Sequence, residues 1–166
     1  MKEFTVKKPR AIRGYPIHRA VAALTQGAPH TWRDNGETLT IRTAAPLDTD
    51  GEDLPKVQVG ELRMFSLRAC VGSKVRGRHV YPAKGDHQAR QVWLGKQGLR
   101  HGFEVVAVHS TSDITRVSDQ AGRDFALDAT DFTGVLKVLD VAAFESALRT
   151  GVGATGRAFG FSLLSI

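Results

Sequence analysis

One histidine, His18, has the setting of a proton-transfer residue. It follows Pro16 and Ile17 near the start of a predicted helix, at the edge of the apolar stripe rather than within it. An imidazole titrates near neutrality, so it can activate a hydroxyl nucleophile or protonate a leaving oxygen without a metal. Tyr15 lies nearly one helical turn earlier on the same side, close enough to orient His18 or a phosphate. The pair is a candidate acid–base site, and the alternative is a packed or surface histidine.

A glycine-rich segment near the C-terminus is a candidate for phosphate contacts. Residues 151–156 read GVGATG, which fits the dinucleotide pattern GxGxxG, but that pattern binds a nucleotide only where it follows a strand and opens a helix. This segment follows a predicted helix and precedes a predicted strand, which argues against nucleotide binding. Glycine amides can still approach a phosphate backbone closely, and a cation follows them. The predicted contacts are Gly151, Gly153, Gly156 and Arg157, and a plain helix-to-strand turn is the alternative.

A basic segment, residues 72–85, reads GSKVRGRHVYPAKG and has the composition of a loop that grips nucleic acid. Its cationic side chains can contact the backbone of an RNA hairpin, and Tyr81 offers a face on which a base can stack. A disordered basic loop is the alternative. The predicted contacts here are Lys74, Arg76, Arg78, Tyr81 and Lys84.

The remaining histidines and the single cysteine give no metal or redox signal. Five histidines are scattered over predicted strands, loops and helix ends: His30, His79, His87, His101 and His109. They lack the paired spacing and the neighbouring acids of a metal site. Cys70 lies in an apolar run without a second cysteine, so we expect it to pack in the core. We therefore predict neither a metal nor a cofactor.

The first predicted unit positions His18 on a helix that follows a strand. Residues 4–8 alternate between apolar and polar as a strand does. The helix is predicted over 15–25, since Pro16 suits its first turn and Gly27 lies just beyond its end. The start of this helix is therefore the element that must carry the candidate acid–base pair.

A hairpin and a linker complete the first unit. Residues 30–34 and 37–42 flank an Asn-Gly pair at 35–36, the strongest two-residue hairpin signal. Residues 46–55 are acidic and rich in turn formers, and they are predicted to be an exposed linker. The first unit, residues 1–60, is therefore read as β-α-β-β without a second helix.

The second unit, residues 61–166, is predicted to be a complete β-α-β-β-α-β unit. Asp86 caps a helix that Gly98 ends, and Asp140 caps another that stops at Gly151. The stripe of the first of these helices includes Ala89, Val92 and Trp93. Strands are predicted over 62–71, 103–109, 133–139 and 158–166. This order is that of the ferredoxin-like unit, so the predicted fold class is α+β, with tandem ferredoxin-like (RRM-like) units of which the first is trimmed.

The charge distribution favours a polyanionic partner. The net charge is +6, and the bases are segregated: residues 1–46 carry eight Lys/Arg against three Asp/Glu, and residues 56–100 carry ten against two. Residues 47–55 and 101–166 are acidic. No apolar run reaches the roughly 18 residues of a membrane span, and no signal-peptide pattern is present, so we expect a soluble cytoplasmic protein.

A resemblance to a known family rests on several segments together. Residues 148–164 look like the C-terminal glycine-rich loop of the CRISPR repeat RNA endonucleases, and within them the RAMP proteins of the CasE family of type I-E Cascade or a close relative. Tyr15-Pro16-Ile17-His18 resembles the Tyr-x-x-His at the start of the family's first helix. The chain is shorter than those proteins, which leaves its subtype open. Further similarity lies in residues 63–69, the basic segment, the helix that contains Trp93, and residues 132–136.

The resemblance implies a function for the candidate residues. His18 would be catalytic, with Tyr15 beside it, in a metal-independent endoribonuclease that cleaves precursor CRISPR RNA at the base of the repeat stem-loop. Attack by the RNA's own 2′-hydroxyl would leave a 2′,3′-cyclic phosphate and a 5′-hydroxyl. In the family a hairpin loop that corresponds to residues 116–123 approaches the RNA stem, which adds Arg123 as a contact. The implied partners are the repeat RNA, retained as mature crRNA, and the other subunits of a Cascade-like effector complex.

Two other classes of function stay open at the level of sequence. One is a non-catalytic RNA-hairpin-binding module of the same fold, in which His18 is structural. The other is a ferredoxin-like metabolic enzyme or regulator that binds a small anion at the glycine-rich segment. An RNA-binding module would shift repeat RNA in a gel without shortening it, and a metabolic protein would lack a neighbouring repeat array.

Overall fold

The structure, a computed structural model, describes residues 1–9, 12, 14–76 and 78–166, and of residues 73–75, 78 and 79 it describes the backbone alone. The first unit consists of β1 (Lys2–Lys7), α1 (Tyr15–Leu24), β2 (His30–Asp34), β3 (Thr38–Thr43) and β4 (Gly51–Asp53). The strands form an antiparallel sheet in the order β2-β3-β1-β4. Helix α1 covers one face of it, with buried Ile17 and Val21 against Trp32, Leu39 and Ile41.

The expected linker of residues 46–55 contains a strand, so that prediction was wrong in part. Strand β4 pairs with β1 through Gly51 opposite Phe4 and completes the sheet. Glycine is needed at this position because a Cβ on Gly51 would lie 2.4 Å from the Phe4 ring. The acidic, turn-forming composition concealed a short edge strand, which pairs along one side only.

The predicted hairpin is confirmed. Strands β2 and β3 meet at Asn35-Gly36. There the backbone N–H of Asn35 donates to the backbone carbonyl oxygen of Thr38 at 2.9 Å, and Gly36 has φ +92°. A positive φ is readily adopted by glycine, which is why an Asn-Gly pair marks such a turn. This hairpin places His30 at the start of β2, directly after α1 ends.

The second unit repeats the strand topology of the first and adds the second helix that the first unit lacks. Its sheet has the order β10-β5-β9-β8, so in both sheets the unit's first strand lies between its third and its fourth. The order β-α-β-β-α-β confirms the ferredoxin-like class. The elements are β5 (Leu62–Cys70), the small hairpin of β6 (Ser73–Val75) and β7 (Arg78–Val80), α2 (His87–Arg100), β8 (Phe103–Ser118), β9 (Asp124–Val138), α3 (Val141–Thr150), a 3₁₀ turn (Arg157–Phe159) and β10 (Leu164–Ser165).

The two central strands are far longer than the sequence indicated. β8 has 16 residues and β9 has 15, whereas strands were expected only over 103–109 and 133–139. Their outer ends are stabilised by a separate cluster rather than by the main core. That cluster contains buried Cys70, Val117, Leu127, Ala129 and Phe161, with Tyr81 and Phe159 packed against it. The long hairpin is what carries residues 119–123, hereafter the hairpin tip, toward α1.

Three smaller predictions for the second unit were wrong. Gly98 does not end α2, which continues to Arg100; a Cβ on Gly98 would lie 2.7 Å from the Phe103 carbonyl oxygen, so this glycine serves close packing. The buried face of α2 holds Arg90, Leu94 and Gly98, while Val92 of the expected stripe is 51% exposed. The expected strand 158–166 is reduced to β10, because Gly160 and Ser162 have positive φ (79° and 88°) and interrupt it.

Caps and apolar burial account for the helices of the second unit. Asp86 and Asp140 accept from the backbone amides of Ala89 and Ala143, as the sequence indicated. The main core lies between the sheet and these helices and includes Phe65, Leu94, Phe103, Phe132, Leu136, Phe144 and Leu148. In the described part of the chain no helix is long and apolar enough to cross a membrane.

Two arginines of the first sheet join it to the second unit. Arg42, 2% exposed, donates from Nη1 to the carbonyl oxygens of Leu148 and Leu164 at 2.8 and 2.6 Å, and from Nε to Glu3 at 2.6 Å. Arg33 donates to the carbonyl oxygens of Ser66 and Leu163 at 3.2 and 3.1 Å. These bonds fix the first sheet against the end of α3 and against β10, and thereby fix α1 relative to the C-terminal segment.

Arg42→Met should lower the free energy of unfolding by about 2–4 kcal/mol, because it removes the donors and leaves two buried carbonyl oxygens unpaired. Methionine keeps much of the length of the side chain, so the loss of polar partners dominates the effect. Urea denaturation followed by circular dichroism measures the change. The matched control is Arg149→Met, since Arg149 forms an exposed ion pair with Glu145 on α3 and should contribute less than about 1 kcal/mol. Equal effects of the two substitutions would contradict the buried role of Arg42.

Candidate active site

The first turn of α1 carries Tyr15 and His18 on one side. Pro16 occupies the start of the helix, and buried Ile17 turns the apolar stripe toward the sheet. Tyr15 and His18 are both half-buried, and their ring centroids are 5.3 Å apart. The spacing places the phenol beside the imidazole at the edge of the helix, where both can meet a ligand.

The C-terminal segment and the hairpin tip meet this helix start. The ring centroids of Tyr15 and Phe159 are 6.5 Å apart, and Phe159 packs edge-on against Phe125 of β9 at 5.5 Å. The Tyr15 hydroxyl donates to Oε1 of Gln120 in the hairpin tip at 3.4 Å. Two segments that are distant in sequence from α1 therefore converge on Tyr15.

Two clefts flank this junction. One, of about 730 Å³, lies between the start of α1 and the hairpin tip, and Tyr15, Arg19, Arg116 and Gln120 are among its lining residues. The other, of about 570 Å³, lies between the two units and is lined in part by Lys8, Arg68, Arg116 and Phe159. Arg116 is shared by both clefts. Each lining also holds one carboxylate, Asp34 or Asp119, but the cations outnumber it, which suits a phosphate backbone.

The environment of His18 favours a neutral imidazole. Burial lowers its pKa from the ordinary value of 6.5, and the nearby His30 lowers the pKa further, since two imidazolium ions would repel each other. The ring centroids of His18 and His30 are 5.9 Å apart. A neutral ring near pH 7 can accept a proton as soon as a substrate hydroxyl is present. For His30 the sequence predicted only that it binds no metal, and its position beside α1 depends on the hairpin fold.

The glycines of the C-terminal segment are fixed by packing. In what we call the glycine-rich loop, residues 151–160, Gly151, Gly153, Gly156 and Gly160 all have positive φ. A Cβ on Gly156 would lie 2.2 Å from the Phe161 ring, and one on Gly151 would lie 2.7 Å from the Ser162 carbonyl oxygen. The glycines are therefore required by the shape of a closely packed loop. Arg157 and Phe159 both lie on that loop, in its 3₁₀ turn.

Arg157 links the loop to the end of α2. Its side chain is exposed, and Nε donates to the Gly153 carbonyl oxygen at 2.9 Å, which ties it to its own loop. The pKa of His101 is lowered by burial and then by the charges of Arg157 and Arg100. Arg157 therefore belongs to a group of cations at the C-terminal end of α2, on the same loop as Phe159.

The basic segment forms the hairpin β6–β7 rather than an irregular loop. Arg76 is exposed at its turn, with φ +49°, and Lys84 is exposed beyond it. The side chains of Lys74 and Arg78 lie outside the described residues. A groove of about 500 Å³ separates the foot of this hairpin from α2 and is lined in part by Tyr81, Trp93, Lys96 and Arg100. The groove leads toward the cations near Arg157.

Tyr81 is packed at the foot of the basic hairpin. Burial raises its pKa to about 12, and interaction with the Cys70 thiol raises the pKa as well. A Cβ on Gly72 would lie 2.8 Å from its ring. Part of the side chain packs against the cluster that contains Cys70, which limits the face that it can offer to a base.

Sequence reasoning missed the anchor of this hairpin, Arg90. The side chain is 1% exposed, forms an ion pair with Asp128, and donates to the carbonyl oxygens of Ala83 and Asp86 at 2.9 Å each. These bonds hold the segment after β7 and the start of α2 against β9. An arginine on a predicted polar helix face gave no sign of burial.

Arg123 lies at the hairpin tip with an ion-pair partner. Its guanidinium is 2.7 Å from Asp119, and its side chain is 82% exposed. Backbone and side-chain hydrogen bonds from Arg123 lower the pKa of Asp119. The pair shapes the tip that reaches Tyr15 through Gln120, so Arg123 is near the junction. The structure thus places Tyr15 beside His18, and the hairpin tip that carries Arg123 and the loop that carries Arg157 reach Tyr15 through Gln120 and Phe159. The basic hairpin lies beside α2.

The other histidines whose side chains the structure describes form no metal-binding group. Among the described residues there is no group of three or more His, Cys, Asp or Glu side chains arranged to hold a metal ion. His87 contacts Ser110 at 3.1 Å, and His109 is exposed on β8. The side chains that the junction does bring together, Tyr15 and His18 with Arg19 and Arg116 nearby, can perform proton transfer next to cations.

Known proteins share this fold over nearly their whole length. Cse3 of Thermus thermophilus, bound to an RNA representing a pre-cleavage complex, matches with a TM-score of 0.80 at 20% identity over 99% of this chain and 98% of that one. Cas6e from Escherichia coli str. K-12 matches with a TM-score of 0.78 at 21% identity over 99% and 98%. A chain of E. coli Cascade bound to a PAM-containing dsDNA target matches with a TM-score of 0.67 at 20% identity over 99% and 97%.

A family model settles the assignment. Curated protein sequences give no match to the chain. The model described as CRISPR associated protein matches residues 19–166, which include all of the second unit, the glycine-rich loop and most of α1. The chain therefore belongs to the family of CRISPR-associated proteins.

Proposed function

We propose that the protein is a metal-independent endoribonuclease that cleaves precursor CRISPR RNA at the base of the repeat stem-loop. The observation that supports this most strongly is the position of Tyr15, which contacts both His18 and Phe159 of the glycine-rich loop and lines a cleft together with Arg19 and Arg116. An acid–base group next to cations is what transesterification of a phosphodiester requires. RNA supplies the nucleophile, its own 2′-hydroxyl, so no metal-activated water is needed.

The reaction follows from the state of His18. Its lowered pKa keeps the imidazole neutral near pH 7, ready to take the 2′-hydroxyl proton as the 2′-oxygen attacks phosphorus. The bond to the 5′-oxygen breaks, which gives a 2′,3′-cyclic phosphate and a 5′-hydroxyl. Tyr15, held between His18 and Gln120, orients the imidazole or the phosphate. Arg157, on the adjacent loop, contributes positive charge near the crowded phosphate.

Affinity for the stem-loop is assigned to the cations that surround the groove on α2. Arg76 and Lys84 of the basic segment, Lys96 and Arg100 of α2, and Arg157 of the glycine-rich loop are exposed, and the groove lies between the foot of the basic hairpin and α2. Contacts to a phosphate backbone position an RNA helix without reading its sequence. Arg123 at the hairpin tip would contact the stem near the cleavage point.

The mature crRNA is proposed to stay bound, with the protein as a subunit of a Cascade-like effector complex. One similar structure is a chain of E. coli Cascade, and another is Cse3 held with RNA in a pre-cleavage complex. Retention fits a site in which affinity residues and acid–base residues are separate, since the stem contacts survive cleavage at the base. Gel filtration of the reaction mixture should show the cleaved stem-loop co-eluting with the protein.

Incubation with the repeat RNA separates this function from simple binding. The endonuclease shortens the RNA and keeps the stem-loop fragment, whereas a non-catalytic RNA-binding module retards the intact RNA in a native gel and leaves its length unchanged in a denaturing gel. Intact RNA at enzyme excess over long incubation would reject the cleavage function and favour the binding module. No binding at all would reject both.

Removing charge from the basic segment should weaken binding, while removing Arg157 should slow cleavage. Neutralising Lys74, Arg76 and Arg78 together deletes phosphate contacts, so affinity for stem-loops of any sequence falls and the slope of log K against log[salt] decreases. Arg157→Ala should lower the cleavage rate at saturating protein more than the triple change does. A displacement of the phosphate by about 1 Å can slow a reaction by roughly 10²-fold. Filter binding across salt concentrations and single-turnover cleavage measure the two effects.

The matched control for the triple variant and for Arg157→Ala is Arg149→Ala. Arg149 is an exposed residue of α3 that forms an ion pair with Glu145. It should change neither binding nor cleavage. If the triple variant and Arg157→Ala also behave like wild type, the RNA does not lie along the groove on α2.

A further inference from the structure

His18 has one ring nitrogen turned toward the interior. Nδ1 is buried and meets no hydrogen-bond partner within the described part of the chain, although the side chain as a whole is only half-buried. An unpaired buried polar atom is unfavourable, so its presence calls for a reason. Nε2 is then the nitrogen available to a substrate. Whether it can accept a proton depends on whether Nδ1 carries one.

A second ring, His30, flanks His18, and the tautomer of His30 is set by the backbone. Its Nδ1 lies 2.8 Å from the Ala28 carbonyl oxygen and 3.1 Å from Oγ1 of Thr25. A carbonyl oxygen only accepts, so Nδ1 of His30 must carry the proton. The Thr25 hydroxyl in turn donates to the Ala22 carbonyl oxygen at 3.3 Å. Neutral His30 therefore has a bare Nε2, which is a hydrogen-bond acceptor.

The two rings are close to hydrogen-bonding distance. Two imidazoles joined by a linear N–H···N bond have ring centroids about 5.3 Å apart, and those of His18 and His30 are 5.9 Å apart with a tilt of 43°. The centroid separation exceeds that of a linear bond by roughly half an ångström, so forming the bond takes a small shift and a rotation of the two side chains. Tyr15 flanks His18 as well, but its hydroxyl is directed to Gln120.

We propose that His30 is a positioning residue that accepts a hydrogen bond from Nδ1 of His18 and thereby holds Nε2 of His18 as a proton acceptor. The chain of bonds runs from the Ala28 carbonyl through His30 to His18. This inference rests on the proposed function for the identity of the reaction, and it deepens that function by assigning His18 as the base. His30 acts through His18 and does not touch the RNA.

The proton balance is simple. Nε2 of His18 takes the 2′-hydroxyl proton while the 2′-oxygen bonds to phosphorus and the bond from phosphorus to the 5′-oxygen breaks. The leaving 5′-oxygen takes up one proton, from the imidazolium or from water in exchange with it, so that His18 returns to the neutral form. No oxidant or further reactant enters. Nδ1 keeps its proton throughout, and the role of His30 is to keep it there.

Two near-isosteric substitutions separate positioning from a merely structural role. Gln at position 30 places an amide oxygen near the site of Nε2 and can accept from His18, whereas Asn at position 30 places its amide near Nδ1 and can only preserve the bond to Ala28. We expect His30→Gln to keep most of the single-turnover rate and His30→Asn to lose about 10- to 100-fold, within the range that general acid–base catalysis supplies. Binding of a 2′-deoxy stem-loop should be unchanged in both. The opposite order of rates would show that His30 only stabilises the turn, and would overturn the proposal.

A measurement on the free protein distinguishes failure of this inference from failure of the proposed function. The ¹⁵N chemical shifts of the imidazole nitrogens report which one carries the proton. In wild type above the pKa of His18, the proton should be on Nδ1 of His18, and in His30→Phe it should redistribute to Nε2. If the tautomer is the same in both, the inference is wrong even if the RNA is cleaved. If the tautomer changes but no RNA is cleaved, the histidine pair stands and the proposed function fails.

Discussion

His18→Ala should abolish most of the cleavage of the repeat RNA and leave binding of the stem-loop within a few-fold of wild type. General acid–base catalysis contributes typically 10²–10⁴-fold to a rate, and His18 is the group that we assign to it. The cations assigned to binding lie on other elements, namely the basic hairpin, α2 and the glycine-rich loop, so the contacts that hold the stem persist. Single-turnover cleavage at saturating protein, together with filter binding of an uncleavable RNA, measures the two quantities separately.

The control for this substitution is His109→Ala, because His109 is exposed on β8 and faces neither cleft. It should cleave at the wild-type rate. A His18→Ala variant that keeps more than a tenth of the wild-type rate would remove His18 from the mechanism. Loss of binding in parallel with cleavage would mean instead that the helix start is part of the stem-binding surface or that α1 has lost its packing on the first sheet.

Local signals predicted the elements that carry the candidate site. The Asn-Gly pair at 35–36 specifies a tight turn by its own backbone preference. Asp140 indicates a helix start, because its carboxylate accepts a hydrogen bond from the backbone amide of Ala143. Pro16 and the spacing of Ile17 and Val21 did the same for α1. Each of these signals depends on residues only a few positions apart, so one sequence suffices to find them.

Features that depend on distant partners were not predictable in this way. β8 and β9 extend well past the expected strands because their outer ends pack on Phe161, which is remote in sequence. Arg42 and Arg90 are among the most buried residues, since carbonyl oxygens and Asp128 from other elements satisfy their donors. A polar residue type gives no sign of that burial.

The candidate site likewise combines one local pair of residues with contacts that depend on distant segments. Tyr15 and His18 are one turn apart on one helix, so their proximity follows from the sequence. The contacts of Tyr15 with Phe159 and Gln120 depend on how the two units are joined, and Arg33 and Arg42 contribute to that junction from positions that gave no functional signal. His30 joins the site only because β2 begins where α1 ends. The resemblance to CRISPR repeat endonucleases supplied the connection that local patterns could not.

The central claim is that the RNA supplies its own nucleophile and that no metal takes part. Cleavage of a repeat RNA that carries a single 2′-deoxynucleotide before the scissile phosphate tests it most directly, with unmodified RNA as the matched control and excess EDTA in both reactions. Removing the 2′-hydroxyl removes the attacking group, whereas a metal-activated water would not need it. The substitution is too small to disturb the stem contacts, so binding should be retained.

We expect the unmodified RNA to be cut at full rate in EDTA, giving a 2′,3′-cyclic phosphate and a 5′-hydroxyl, and the 2′-deoxy RNA to be bound with similar affinity and remain intact. Cleavage of the 2′-deoxy RNA at the same position would contradict the mechanism. So would loss of activity toward the unmodified RNA in EDTA that Mg²⁺ or Mn²⁺ restores.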